Sequence, residues 1–310
     1  MRKREDALLK RDNLTDAEDT STKLNIFKSL KKSRTWRRFR RHKLALVGAT
    51  FLLVLILIAI FAPLIAPYDP YAIDLSAYRN PPSYAHWLGT DTAGRDVLSR
   101  LIYASRVSLL VGLGAVSIYV IIGTILGAIS GYYGGWVDHI IMRIADAVLC
   151  FPLFVIILVA VTIVGPSLYN IILALGVLWW PGISRIVRGE FLSLREREFV
   201  EAAKATGEHS ISIIFRYILP NVVAPIIVAA TFGMASAILA EAGLSFLGLG
   251  VQPPTPSWGN MLIDAQSLTI LKSMPWLWIP PGAMILITVL SINFVGDGLR
   301  DAFDVRGRAE

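Results

Sequence analysis

The intervals without a charged side chain restrict this chain more than any other feature. Residues 44–66 are 23 in a row with no Asp, Glu, Lys or Arg. At 1.5 Å per residue such a run crosses the ~30 Å of bilayer hydrocarbon as a helix. Residues 107–137 and 147–184 are also charge-free, and the second is too long for one crossing. Backbone groups in hydrocarbon must be satisfied within the segment, so these runs predict helices. A hydrophobic content of 55% and a mean hydropathy of +0.59 agree with an all-α polytopic membrane protein.

The net charge of +7 is concentrated at one end. Residues 1–43 hold fifteen of the thirty Lys and Arg and only six of the twenty-three Asp and Glu. That tail has just Phe27, Trp36 and Phe39 as aromatics and runs straight into the first apolar segment, so no nucleic-acid role is expected. It reads as a cytoplasmic flank obeying the positive-inside rule. The first apolar run follows 43 mostly polar residues and exceeds a signal-peptide core, so no cleavable signal is expected. Cys150 is the only cysteine, and His42, His86, His139 and His209 are scattered. This predicts no disulfide and no metal site.

The spans follow in order. After the basic tail (1–43) comes the first span (44–66), then an extracytoplasmic segment (67–106). Pro63, Pro67, Pro70, Pro81 and Pro82 break its start, and helical period returns over 86–111, where Asp91 and Thr92 are placed to cap a helix. Arg79, Arg95, Arg100 and Arg106 oppose this orientation, but the N-terminal collar outweighs them. Residues 107–298 form a five-helix core. Its first helix carries Gly123, Gly127 and Gly131 on one face, for close packing within the chain or against another subunit. Residues 138–146 are expected as a short cytoplasmic turn, with Arg143 and Asp146 spaced to pair. Gly165-Pro166-Ser167 divides 147–184 into a hairpin of two spans, with Trp179 and Trp180 as interfacial anchors near its inward end. The fifth span runs from about 222 to 247. Glu241 lies nineteen residues in, near the outer face, either on a translocation path or as a helix-end carboxylate reaching water. Residues 249–275 are too rich in Pro and polar groups to span. Residues 274–296 form the sixth span, notched by Pro280-Pro281, and 299–310 are a cytoplasmic tail with Arg300, Arg306 and Arg308. Six spans with both ends inside result.

Between the fourth and fifth spans lies the charged stretch 198–221, with Glu198, Glu201, Lys204, Glu208 and Arg216. Its pattern is amphipathic helix, break at Gly207, amphipathic helix. Ser210 is placed to cap the second helix, and Pro220 is expected to bend the chain where it re-enters the membrane. No G-x4-G-K-[ST] loop, H-E-x-x-H, G-x-S-x-G or membrane-buried pair of aspartates occurs. Transport or scaffolding remain as function classes.

Glu201-Ala202-Ala203, Gly207 and Leu219-Pro220 resemble the E-A-A-x3-G-x11-L-P signature of ABC importer permeases, with Tyr217 where an Ile is frequent. Three further stretches resemble the C-type permease of dipeptide, oligopeptide and nickel systems. They are His86–Asp91 with Gly94–Arg100, Leu244–Gly250 with Pro253–Gly259, and Gly296–Asp301, although Val305 stands where that family usually has Pro. The resemblance is continuous from about Trp36 and implies a type I ABC importer permease fold. It implies that 199–220 is the loop coupling the spans to cytoplasmic ATPases. It further implies a second homologous permease subunit, two ABC ATPase subunits carrying ATP and Mg, an extracytoplasmic substrate-binding protein, and a bacterial cytoplasmic (inner) membrane location. No cofactor is expected in this chain. Peptide, nickel and other small-solute permeases share these motifs, so the substrate stays open, and an uncoupled scaffold or channel is the alternative.

Overall fold

A computed structural model describes residues 34–303; the tail at 1–33 and the positions Val305, Arg306 and Arg308 fall outside that range. The helices that place the site are α1 (Arg34–Phe39), α2 (Lys43–Ile60), α3 (Val97–Tyr133), α4 (Gly135–Leu149), α5 (Leu153–Val164), α6 (Leu168–Leu178), α7 (Trp180–Leu194), α8 (Glu198–Ala205), α9 (Leu219–Phe246), α10 (Trp258–Met261) and α11 (Pro275–Phe303). No strand occurs among the described residues, only one isolated bridge between Thr90 and Asp96.

Five helical stretches are long and apolar enough to cross a membrane: α2, α3, α6 with α7, Ser210–Phe246, and α11. α4 and α5, apolar enough only when taken together and bent by 83° at their break, are a broken span or a re-entrant loop. This corrects the expected turn at 138–146. Gly134 and Gly135, at φ +65° and +54°, end α3, and the chain restarts at once as a helix. The charges that suggested a turn are satisfied across helices: Asp138 by Arg188, and Asp146 by Arg185 rather than by Arg143. Pro152, which has no N–H to donate, marks the bend.

The first crossing starts where the His42 ring nitrogen accepts from the Ala45 N–H at 3.1 Å. Gly48 lets α2 approach α11, since a Cβ there would stand 2.6 Å from the Ser291 carbonyl oxygen. The helix expected from residue 86 starts only at Val97. Asp96, not Asp91 or Thr92, is its cap, accepting from the Ser99 N–H at 2.7 Å. Asp91 instead closes the preceding turn, accepting from the Ala93 and Arg95 N–H groups, with Gly94 at φ +76°. At the far end, α11 continues through Pro280-Pro281 and over Gly296–Asp301 to Phe303, so the tail begins as helix.

α3 is the hub. Its C-terminal half packs on α7, burying Trp180, Ile183, Val187 and Phe191 with Tyr119 and Ala128. Nearer its N-terminus it meets α6 through Ala115, Ile171 and Leu175, and α9 through Leu109 and Ile238. Trp180 is therefore a core residue rather than an interfacial anchor, and Trp179 packs its ring on Tyr119. The loop after α9 folds back on α3: Trp258 is fully buried, its backbone N–H donating to the Ser108 hydroxyl at 3.2 Å.

Candidate functional site

The 198–221 loop begins with α8. Glu198 and Glu201 in its first turn and Lys204 in its last complement the helix dipole. Val200 and Ala203 face inward, while Phe199, Glu201, Ala202 and Lys204 are exposed. Gly207 ends the helix at φ +81°, the left-handed region that disfavours a Cβ. Its N–H bonds the Lys204 carbonyl at 3.0 Å and the Glu208 N–H bonds that of Ala203 at 3.2 Å, the paired closure of a Schellman motif. Gly207 has nothing within 4 Å of a would-be Cβ, so backbone conformation alone selects glycine.

Beyond the break the structure departs from expectation. His209, not Ser210, is the cap residue, and no side-chain hydrogen bond supports it. The chain then runs as one 37-residue helical stretch into the membrane, with no corner at Pro220. Residues Ile213–Ile218 are wound as π-helix, so the Leu219 N–H reaches back to Ile214. Pro220 has no N–H to place in an α ladder, and the wider winding before it absorbs that loss. The Asn221 side-chain amide donates to the Tyr217 carbonyl at 2.7 Å.

Ile213, Ile214, Ile218 and Val222 share one core with Val200 and Ala203 of α8, Ala145 of α4, and Val187 and Phe191 of α7. The loop is thus fixed to α4 and α7, while Ile211 and Phe215 project from it at 68% and 61% exposure. Beside it Arg188 makes a two-pronged pair with Asp138, at 2.5 and 2.6 Å, and the Ser130 hydroxyl also donates to Asp138. Arg185 pairs with Asp146 at 2.6 Å. These ties between α4 and α7 were missed in the sequence, where the partners lie 50 and 39 residues apart.

Gly123, Gly127 and Gly131 meet α7 of the same chain. Cβ atoms there would stand 2.8 Å from the Trp180 carbonyl oxygen, 2.5 Å from that of Ser184 and 2.8 Å from that of Arg188. Glu241 lies about 33 Å along the helix from Leu219, well apart from the loop. It does not reach water: it is fully buried, and its Oε1 accepts from Ser245 Oγ at 2.6 Å and Ser257 Oγ at 2.8 Å. Ser257 also forms a capping box with Asn260 at the start of α10, so Glu241 clamps the outer loop to α9.

Beside the start of α3, a cavity of about 180 Å³ is lined by Asp91, Arg95, Arg100, Asn260 and Asp264. Asp91 pairs with Arg95 at 2.8 Å and with Arg100 at 3.3 Å, while Asp264 accepts from the Thr92 hydroxyl at 3.2 Å. Burial pushes the Asp264 carboxyl above the usual range, against a lowering hydrogen bond from Thr92. Among the described residues no group of three His, Cys, Asp or Glu side chains could hold a metal ion.

Two family profiles match this architecture. The profile for the binding-protein-dependent transport system inner membrane component covers residues 123–308, the 198–221 loop included. The chain belongs to that family. The profile for the N-terminal TM domain of oligopeptide transport permease C covers residues 33–82. The permease is 47% identical over 269 residues to the dipeptide transport system permease protein DppC of Alkalihalophilus pseudofirmus, covering 87% of this chain and 88% of that one. It is 43% identical over 270 residues to the glutathione transport system permease protein GsiD of Escherichia coli O6:K15:H31, with the same coverages. Its fold is similar to a chain of the MetNI methionine ABC transporter solved in inward-facing conformations. There the TM-score is 0.53 and identity 19%, over 66% of this chain and 96% of that one. The protein is a multi-pass membrane permease subunit of an ABC importer.

Proposed function

We propose that this permease forms half of the translocation pathway for di- or oligopeptides. The observation that carries the substrate class is the 43–47% identity, over nearly nine-tenths of the chain, to permeases named for dipeptides and glutathione. Glu201, Ala202, Ala203, Gly207, Leu219 and Pro220 form the surface that takes up the stroke of the ATPases. In support, the loop is anchored on α4 and α7 yet exposes Phe199, Ile211 and Phe215, a short apolar face suited to a partner groove. The glycine row holds α3 against α7, and Glu241 serves as a structural clamp. ATP and Mg belong to two partner ATPase subunits. A second permease subunit and an extracytoplasmic binding protein complete the machine, in the bacterial cytoplasmic membrane with both termini inside.

The experiment is uptake of a labelled dipeptide by cells lacking this gene and complemented with it, together with ATPase rates of the isolated chain and of the assembled complex. Uptake on complementation, with hydrolysis confined to the complex, is expected. Robust hydrolysis by the isolated chain would remove the permease assignment of energy input, and uptake of nickel or another small solute in place of dipeptide would replace the substrate class.

A further inference from the structure

An importer needs a wall that tolerates polar solute at membrane depth, and one cavity of this chain has the chemistry for it. The cavity is open, about 350 Å³ in volume, and lined by Tyr119 of α3, Leu153 of α5, Trp179 and Gly182 at the α6–α7 junction, and Gly233 and Ser236 of α9. Trp179 lies eleven residues past Leu168, about 16 Å along the helix, with the first charge, Arg185, six residues farther on. That places Trp179 near the middle of the 27-residue apolar stretch Leu168–Leu194.

Its polar groups lack partners within the chain. The Tyr119 and Trp179 rings meet edge-on with centroids 6.3 Å apart, yet neither the phenol hydroxyl nor the indole N–H bonds another described residue. Ser236 is exposed and donates to the Phe232 carbonyl at 3.2 Å, leaving its lone pairs free. Gly233 admits the Tyr119 phenol against α9, where a Cβ would collide with the hydroxyl; a Cβ on Gly182 would meet nothing within 4 Å. Lipid tails offer these donors no acceptor, and buried Tyr and Trp ordinarily find one. A second groove, about 620 Å³ at the α4–α5 bend, shows the contrast. It is lined by Ile144, Val155, Val159 and other wholly apolar side chains.

Resting on the importer reading above, we propose that Tyr119, Trp179 and Ser236 form a wetted hydrogen-bonding wall of the translocation path, and that the part of the passing solute they contact is its uncharged peptide amide. The lining holds no Asp, Glu, Lys, Arg or His, so nothing there fixes a formal charge. Two donors and a hydroxyl acceptor match the C=O and N–H of a peptide bond, and the aromatic rings with Leu153 accept varied side chains.

The test uses the assembled complex in a Cys150→Ala background, with Ser236→Cys, Gly182→Cys and, as comparison, Val159→Cys. A charged methanethiosulfonate reagent reacts only with thiolate in water: the thiolate attacks the sulfenyl sulfur, a mixed disulfide forms, and sulfinate leaves. Cysteines at 236 and 182 are expected to react at least about tenfold faster than at 159, as thiolate formation requires water. Equal or slower reaction overturns the wetted wall. Tyr119→Phe and Ser236→Ala should lower uptake of glycyl-leucine severalfold at unchanged complex abundance and retained ATPase rate; a fall in abundance alone would assign these residues to packing. Fast labelling in a complex that takes up no dipeptide would uphold the wet wall and overturn the amide assignment. Slow labelling with normal dipeptide uptake would overturn the wall and leave the peptide-importer reading standing.

Discussion

Replacing Gly207 by Val separates backbone strain from every other effect at the loop. The residue is at φ +81°, and a side chain there meets no neighbouring atom within 4 Å. The penalty is therefore conformational, about 1–3 kcal/mol for a β-branched residue held in the left-handed region. The chain can escape it by opening the two hydrogen bonds that close α8, from Gly207 to Lys204 and from Glu208 to Ala203, which re-aims the helix. At about 1.4 kcal/mol per tenfold in an equilibrium, docking of α8 on a partner should weaken by about fivefold to a hundredfold. Uptake per assembled complex and substrate-stimulated ATP hydrolysis should fall accordingly. Membrane abundance should stay near normal, because no core contact is touched. Gly207→Asn, which tolerates positive φ, should keep most of the activity. Glu201→Ala should act in the same direction but weakly, since an exposed ionic contact contributes only about 0–1 kcal/mol. Wild-type uptake and hydrolysis in Gly207→Val, or equal damage by Asn and Val, would refute the reasoning.

Three further outcomes are expected. In a Cys150→Ala background, cysteines replacing Ser83 and Gln252 should label from outside with a membrane-impermeant maleimide and one replacing Lys204 should not; outside labelling at 204 inverts the topology. Arg188→Ala strips both prongs from Asp138 and should lower the thermal stability of the purified complex by about 1–3 kcal/mol, with partial recovery on adding Asp138→Asn; an unchanged melting temperature would remove the tie between α4 and α7. Gly127→Val would drive a Cβ to within 2.5 Å of the Ser184 carbonyl oxygen. It should reduce assembled protein by an overpacking cost of about 1–3 kcal/mol, and normal abundance with selective loss of uptake would contradict a packing role.

What the sequence made legible is what depends on local chemistry. Charge-free length fixed where helices cross, and the special backbone at Gly207 was readable because glycine after an amphipathic run has few other uses. Misreadings arose where the deciding partner is remote. Asp138 and Asp146 looked like turn residues because Arg188 and Arg185 come 50 and 39 positions later. Asp91 and Asp96 both precede the helical run at Val97, and only the turn at Gly94 decides which carboxylate faces the free N–H groups. Pro220 looked like a corner, yet one turn of π-helix before it keeps the stretch continuous. The glycine row showed its face but not its neighbour, which lies on α7. Glu241 looked water-reaching because its depth ignored a loop that folds back over it sixteen residues later.

That clamp has a mechanical consequence. Ser210–Phe246 is one helical stretch, about 55 Å long, with the 198–221 loop at one end and the Glu241 clamp near the other. Movement imposed at the loop reaches the outer loop only if the outer end is firmly tied. The tie is a single oxygen, Oε1 of Glu241, accepting from Ser245 and Ser257, while Ser245 Oγ in turn accepts from the Val251 N–H at 3.2 Å. Oε2 has no partner. Glu241→Ala removes the shared acceptor, strands two buried hydroxyls and leaves a void, together about 2–4 kcal/mol. Glu241→Gln keeps a carbonyl oxygen in the place of Oε1 and puts an amide where no partner stands, so it should be clearly milder. Limited proteolysis of the outer loop at 249–257, followed beside the thermal stability of the complex, reads both quantities. The Ala variant should be cut faster and melt lower, and the Gln variant should lie near wild type. Should Gln prove as damaging as Ala, the carboxylate's charge and not its accepting oxygen carries the clamp; should both be silent, Trp258 and the Val251–Ser245 bond hold the loop without Glu241.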